Sequence, residues 1–228
     1  MENSGSQFHQ IRILHVFFRN IIRFENIPAF RAAVSNVAGH EHILFHHHDG
    51  EGYLYKYPKI QYKLASGRTM LLCIDTGIEE LTHFFNKEER IMILDGRKQQ
   101  IEVSSMRQHY FQLRLNSKLS KYKIMNWIPL NQSNVRKYSE VRAIKDRIVF
   151  LEKILTANIL SFAKGVGWSV HGKIIVNMLS LPTYRIRHIK DMNMQVFSAE
   201  FETNAFLPDY AGLGKFSSIG FGTVKSKK

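Results

Sequence analysis

Ile11-Arg12-Ile13-Leu14-His15-Val16-Phe17, then Asn26-Ile27-Pro28 and the set Phe30, Ala33, Val34 and Val37 ahead of Gly39, is the stretch on which the fold turns. The first seven residues alternate as a half-buried strand requires. Asn26 offers an N-cap, and Pro28 suits a first helical turn. The four apolar residues share one helical face, and Gly39 ends the run. A strand therefore feeds a helix. Outward from there, residues 43–48 read as a second strand and Asp49-Gly50-Glu51-Gly52 as a turn. Residues 53–64 read as a third strand interrupted by Pro58, whose missing N–H implies an edge or a bulge. Residues 70–75 are a short apolar run. Ile78, Leu81 and Phe85 lie at helical spacing and predict a second helix over residues 77–85. Residues 90–94 and 97–103 flank Asp95-Gly96, a dipeptide suited to a two-residue hairpin turn. The order β-α-β-β-(β)-α-β is a split βαβ, ferredoxin-like pattern.

The second half repeats that order in outline. Residues 110–115 are strand-like. Asn134 is placed to cap a long helix carrying Val141, Ile144, Ile148, Leu151, Leu155, Ile159 and Phe162 at alternating spacings of three and four. Its other face carries Arg136, Lys137, Arg142, Lys145, Arg147 and Lys153, and Gly165 and Gly167 close it. Residues 168–179 and 195–203 read as strands. No Ser/Pro-rich linker intervenes, so a soft boundary over residues 116–121 divides the chain into domains 1–115 and 116–228. The expected class is α+β, with two tandem ferredoxin-like (RRM-like, βαββαβ) domains.

The 228 residues allow one large domain or two small ones. With 44% hydrophobic and 22% charged residues, a mainly disordered chain is excluded. Lys plus Arg number 32 against 19 Asp plus Glu, a net charge of +13. Such an excess suits a polyanion, nucleic acid first and an acidic membrane surface second. Cys73 is the one cysteine, so an internal disulfide and a cysteine-based zinc site are both excluded. Residues 1–7 are polar, unlike a signal peptide. The apolar stretch 148–170 is broken by Glu152, Lys153, Lys164 and two glycines, short of the ~20 apolar residues that span a bilayer. A cytoplasmic protein without a membrane partner is expected.

Three constellations can carry chemistry. Gly212-Leu213-Gly214-Lys215-Phe216-Ser217-Ser218-Ile219-Gly220-Phe221-Gly222 sets one lysine and two serines between paired glycines. Glycine lets backbone N–H groups turn toward an anion, and Lys215 adds charge. The Gly-Lys-Ser/Thr ending of a nucleoside triphosphate loop is missing, and Gly-x-Gly-x-x-Gly fails after Gly214. A bulged turn before a last strand over residues 221–224 is the competing reading. Second, His40, His42, His46, His47 and His48 lie within nine residues. On an extended chain His46 and His48 share a face and His47 points away, so two imidazoles can serve as base and acid. A metal-binding tract and an exposed polar loop remain alternatives. Third, residues 53–63 interleave Tyr53, Tyr55, Tyr57 and Tyr62 with Lys56, Lys59 and Lys63. Aromatics beside lysines suit base stacking along a phosphate track, and equally suit a strand with a solvated edge.

Taken together, the element order, the histidines after the first helix and the terminal Gly-x-Gly-x5-Gly-x-Gly loop resemble the CRISPR repeat-RNA-processing endoribonucleases of the repeat-associated mysterious protein (RAMP) superfamily. The stretches Leu44-Phe45-His46-His47-His48, Tyr57-Pro58-Lys59-Ile60-Gln61-Tyr62-Lys63, Asn126-Trp127-Ile128-Pro129-Leu130-Asn131, Asn158-Ile159-Leu160-Ser161-Phe162 and Leu207-Pro208-Asp209-Tyr210 resemble the subtype I-B branch. The resemblance implies metal-independent cleavage of repeat RNA by 2′-OH attack, with no cofactor and no metal, leaving a 2′,3′-cyclic phosphate and a 5′-OH. It implies His46 and His48 as the catalytic pair and Tyr55 as an orienting group, with Lys56, Lys59 and Lys63 competing as the assisting lysine. It implies that Gly212, Gly214, Lys215, Ser217, Ser218, Gly220 and Gly222 hold RNA backbone. The catalytic histidines then belong to the first domain and the RNA-binding loop to the second. The implied partners are CRISPR repeat RNA and crRNA, and other subunits of a type I effector complex, for a monomer or homodimer. A non-catalytic RNA-binding subunit on the same scaffold is the alternative, and a histidine-based metal binder a third.

Overall fold

β1 (His9–Ile21) buries Ile11, Ile13, Leu14, Val16 and Phe18, so both of its faces are covered over part of its length. That burial demands a central strand, and β1 is one. The computed structural model describes residues 8–39, 41–46, 57–94, 96–189 and 192–227, with His46 represented by its backbone. After β1 come α1 (Ile27–Ala38), the single turn α2 (Ile43–His46), β2 (Ile60–Ala65), β3 (Arg68–Ile74), α3 (Thr76–Phe85), the hairpin β4 (Ile91–Leu94) and β5 (Arg97–Gln100), and β6 (Val103–Leu113). The main sheet runs β2-β3-β1-β6, with the hairpin as a separate two-stranded sheet. This is the ferredoxin-like strand order, with the β4–β5 hairpin inserted before the last strand.

Helices α1 and α3 bury Phe30 and Phe84, which meet the strand residues Phe18 and Tyr62 edge to face. The centroids are 5.3 Å apart for Phe18–Phe30, 5.9 Å for Phe30–Tyr62 and 6.4 Å for Phe18–Phe84. Edge-to-face aromatic contacts add about 0.5–1.5 kcal/mol each beyond the area they bury. β2 and β3 are joined by Ser66-Gly67, both at positive φ, the two-residue turn whose twist suits a hairpin. Among the described residues the expected third strand runs from Ile60, with Pro58 outside the ladder, and β2 is an edge strand of the sheet.

The second set is β7 (Leu115–Trp127), α4 (Gln132–Glu140), α5 (Ile144–Gly165), β8 (Val176–Met178), β9 (Thr183–Ile189), β10 (Met192–Ala205) and β11 (Thr223–Ser226). Its sheet runs β11-β7-β10-β8, and β9 pairs with β10 beyond β8. The strand order again is ferredoxin-like. The place of a second helix, between β10 and β11, is taken by residues 206–222, whose one regular piece is a 3-10 turn at Ser217–Ile219. Pro208 and four glycines account for that.

Several expectations need correction. The strand-like residues 110–115 largely belong to β6, the last strand of the first sheet. β7, whose exposed lysines Lys118, Lys121 and Lys123 resemble a linker, opens the second. The single long helix is two. Asn131, not Asn134, caps α4, its Oδ1 accepting from the Asn134 N–H at 2.8 Å. The chain is extended at Val141 and Ala143, and Arg147 Nε donates to the freed Val141 carbonyl at 2.7 Å. The stripe buries Leu151, Leu155, Ile159 and Phe162 in α5, while Ile144 is 61% exposed. Of residues 168–179 only Val176–Met178 pairs as a strand.

Two packed units result. One holds Ile11–Phe111 with Ser218–Gly220. The other holds Gln112–Ser217 and the described residues from Phe221 on, with the first two residues of β1. No described helix is long and apolar enough to cross a membrane.

Candidate active site and RNA-binding surface

Where α1 ends, Gly39 adopts φ +117°, and the chain turns through Glu41 and His42 into α2. The extended reading is overturned over Ile43–His46, which is a helical turn, while residues 47 and 48 lie outside the described residues. The cause lies at Phe45. Its side chain is fully buried, and its carbonyl accepts from Arg31 Nε at 3.2 Å and from the Tyr62 hydroxyl at 3.2 Å. A carbonyl pinned by two side chains is withdrawn from any strand ladder. Strand alternation therefore does not apply over Ile43–His46. His46 closes α2, and its side chain lies outside the described residues, as do His48, Tyr55 and Lys56.

On β2, Tyr62 faces α1 and Phe30, while Gln61 and Lys63 point to the opposite face of the sheet. Burial pushes the Tyr62 hydroxyl above the usual tyrosine range. Gln61 Nε2 donates to the Tyr57 hydroxyl at 2.8 Å and to the Pro58 carbonyl at 3.1 Å, which ties the proline turn to the strand. Lys59 pairs with Asp75, Nζ to Oδ2 at 3.6 Å. Burial lowers its pKa, and the Asp75 carboxylate opposes that shift. Lys63 is fully buried, and burial pushes its pKa down to about 7. Its ammonium is not presented to a phosphate track, a correction to the surface reading of Lys63.

The glycine loop closes on itself at its base. Leu213 N–H donates to the Gly222 carbonyl at 2.8 Å, Val224 N–H to Ala211 at 2.9 Å, and Gly222 N–H to Asn126 at 3.0 Å. Gly222 has φ +62°, and any Cβ there would run into the Leu213 carbonyl. Gly214, at φ +84°, lies against the hydrogen bond from Trp127 Nε1 to Asn158 Oδ1, and an added Cβ would sit 2.8 Å from that oxygen. Gly212, Ser217, Gly220 and Gly222 are buried, Gly214 and Ser218 half-buried, and Lys215 exposed. The glycines thus serve close packing, and Lys215 is the one cation the loop offers to solvent.

Lys215 lines two adjoining grooves in the C-terminal unit. One, of about 370 Å³, also has Asn131, Asn134, Phe150, Lys153 and Asn158 in its wall. The other, of about 600 Å³, has Asn131, Gln132, Ile186, Asn193 and Gln195. Side-chain amides carry both donors and acceptors, which is what base edges present, and the two ammonium groups supply the charge that phosphates need.

A family model of the Cas6b N-terminal domain matches residues 9–112, and one of the Cas6b C-terminal domain matches residues 114–227. The chain belongs to the Cas6b family. A crystal structure of Cas6b superposes with a TM-score of 0.88 at 27% identity, over 96% of this chain and all of the other. A second, of the CRISPR RNA processing endoribonuclease Cas6b, gives 0.72 at 26% identity with the same coverage. The uncharacterized protein MJ0978 of Methanocaldococcus jannaschii is 35% identical over 105 residues, 46% of this chain and 70% of that one.

Within this Cas6b-family chain, sequence reasoning missed the amide-rich walls around Lys215, because Asn131, Asn158 and Gln195 meet only through tertiary packing. It also missed β9, whose Tyr184, Arg185, Ile186 and His188 are exposed. A signal was present there: the alternation Tyr184-Arg185-Ile186-Arg187 has the period of a strand.

Proposed function

We propose that this Cas6b-family endoribonuclease cuts CRISPR repeat RNA without a metal ion, His46 and His48 acting as general base and general acid. One imidazole takes the proton of the ribose 2′-OH as the O2′–P bond forms. The other gives a proton to O5′ as the P–O5′ bond breaks. The products are a 2′,3′-cyclic phosphate and a 5′-OH. Positioned acid and base groups each contribute about 10²–10⁴-fold. Tyr55 orients the phosphate or a histidine, and the loop carrying Lys215 holds the RNA backbone. In this reading the first domain carries the cleavage chemistry and the second the backbone contact.

The observation that carries the reading is the run His46-His47-His48 placed directly after a carbonyl pinned by Arg31 and Tyr62, in a chain of this family. A pinned residue ahead of the run gives the imidazoles a fixed point from which to be aimed. The exposed Lys215 between two amide-lined grooves supports the RNA-binding half.

The test is cleavage of a cognate repeat RNA in EDTA. Wild-type protein should cut it, and a 2′-deoxy substitution at the scissile linkage should leave the RNA bound and intact. Replacing both His46 and His48 with alanine should abolish cleavage while binding survives. Cleavage that requires a divalent ion, or that persists in the double variant, overturns the mechanism.

A further inference from the structure

Away from the histidine run, His42, Glu80 and His83 converge in the N-terminal unit. One nitrogen or oxygen from each lies within 4.8 Å of the others. Glu80 and His83 are three residues apart on α3, which places them on one helical face. Glu-x-x-His at that spacing is a recurrent way for a helix to offer two ligands to one ion. His42 comes from the turn between α1 and α2. Its Nδ1 lies 3.2 Å from Glu80 Oε2, and its ring stacks on His83 with centroids 3.6 Å apart and planes 22° from parallel. Glu80 Oε2 is buried and makes no contact of hydrogen-bond geometry among the described residues. The other nitrogen of His42, Nε2, lies 3.5 Å from Glu41 Oε1.

We propose that His42, Glu80 and His83 form a binding site for a zinc-class divalent transition metal, with Glu41 as the carboxylate behind His42. Two imidazoles and one carboxylate are an ordinary zinc donor set, with a fourth position left for water. A metal-bound imidazole typically gives its second N–H to a carboxylate, and Glu41 stands where that partner is needed. Ligand atoms around a tetrahedral zinc lie about 3.3 Å apart, given bonds of about 2.0–2.1 Å. Small side-chain rotations of His83 and of the half-buried Glu80 would close the remaining distance. The site draws together α3 and the turn that leads to His46. Its role is to brace the approach to the histidine run, and the cleavage chemistry does not pass through it.

The experiment uses the untagged full chain, stripped with EDTA and titrated with zinc chloride by calorimetry. One zinc per chain should bind at micromolar concentrations, and the thermal midpoint should rise. Glu80→Gln and His83→Asn should each weaken binding at least tenfold, and Glu41→Gln should weaken it by about tenfold. Replacing His46 and His48 with asparagine should leave zinc affinity unchanged. Far-UV circular dichroism checks that each variant folds. The visible absorption of cobalt(II) in wild type reports a tetrahedral nitrogen–oxygen site without any substitution. The proposal is overturned if zinc fails to bind at about 100 µM, if Glu80→Gln and His83→Asn bind as wild type, or if affinity falls only with His46 and His48.

Discussion

Lys63 is fully buried in β2, and the fold holds its pKa near 7 rather than at the usual value above 10. The cause is desolvation, which disfavours the charged form. A lysine with a lowered folded pKa binds fewer protons folded than unfolded once the pH exceeds about 7. Stability therefore climbs as the pH rises through that region, by up to about 1.4 kcal/mol per pH unit for one proton. Cys73 and Tyr62, both raised by burial, act in the opposite sense at higher pH. The clean window is thus pH 7 to about 8.5. Urea denaturation across that window should show a rising stability in wild type and a flatter one in Lys63→Met. Equal slopes would mean that the lysine stays charged in the fold. Alternation alone could not reveal this residue as buried. Tyr-Pro-Lys-Ile-Gln-Tyr-Lys has the composition of a solvated edge, and which of its lysines is covered depends on what packs over the sheet.

α2 shows how a short element escapes sequence reasoning. Four residues are too few for periodicity to separate strand from helix, and the deciding interactions come from Arg31 and Tyr62, 14 and 17 residues away. Tyr62→Phe removes one of the two donors to Phe45. It should cost about 1 kcal/mol of stability. It should also slow single-turnover repeat cleavage by about tenfold while RNA affinity holds, because small misplacements of catalytic groups are expensive. An unchanged rate would show that this contact does not aim the histidines. In the glycine loop, Gly222→Ala forces a Cβ against the Leu213 carbonyl at φ +62° and should destabilise the protein by more than about 2 kcal/mol. Gly67→Ala, at φ +80° with nothing within 4 Å, should cost only about 1 kcal/mol. Comparing the two by thermal melting separates crowding from backbone conformation. The Ser66-Gly67 turn was legible in principle as a two-residue hairpin signal. The split of α4 from α5 was not, since the apolar stripe runs on through Val141 and Ile144.

The molecule's net charge of +13 makes salt a diagnostic of RNA binding. On single strands log affinity falls against log salt with a slope of about −0.7 per neutralised phosphate. Lys215→Gln should weaken repeat binding and make the slope shallower by about 0.7, measured by fluorescence anisotropy over a salt series. A slope identical to wild type would remove Lys215 from the RNA contact.

The amino-acid sequence by itself determined the α+β class, most strands and helices of the first unit, the Gly-x-Gly ends of the loop and the basic charge. Each of these is written in local periodicity, turn residues or composition. Tertiary structure alone decided which lysines are covered, why Phe45 turns helical and how Asn131, Asn158 and Gln195 come to surround Lys215. It also brought His42 to Glu80 and His83. Those outcomes depend on contacts between residues far apart in the chain, where burial and hydrogen bonding outweigh the local preferences that a sequence displays.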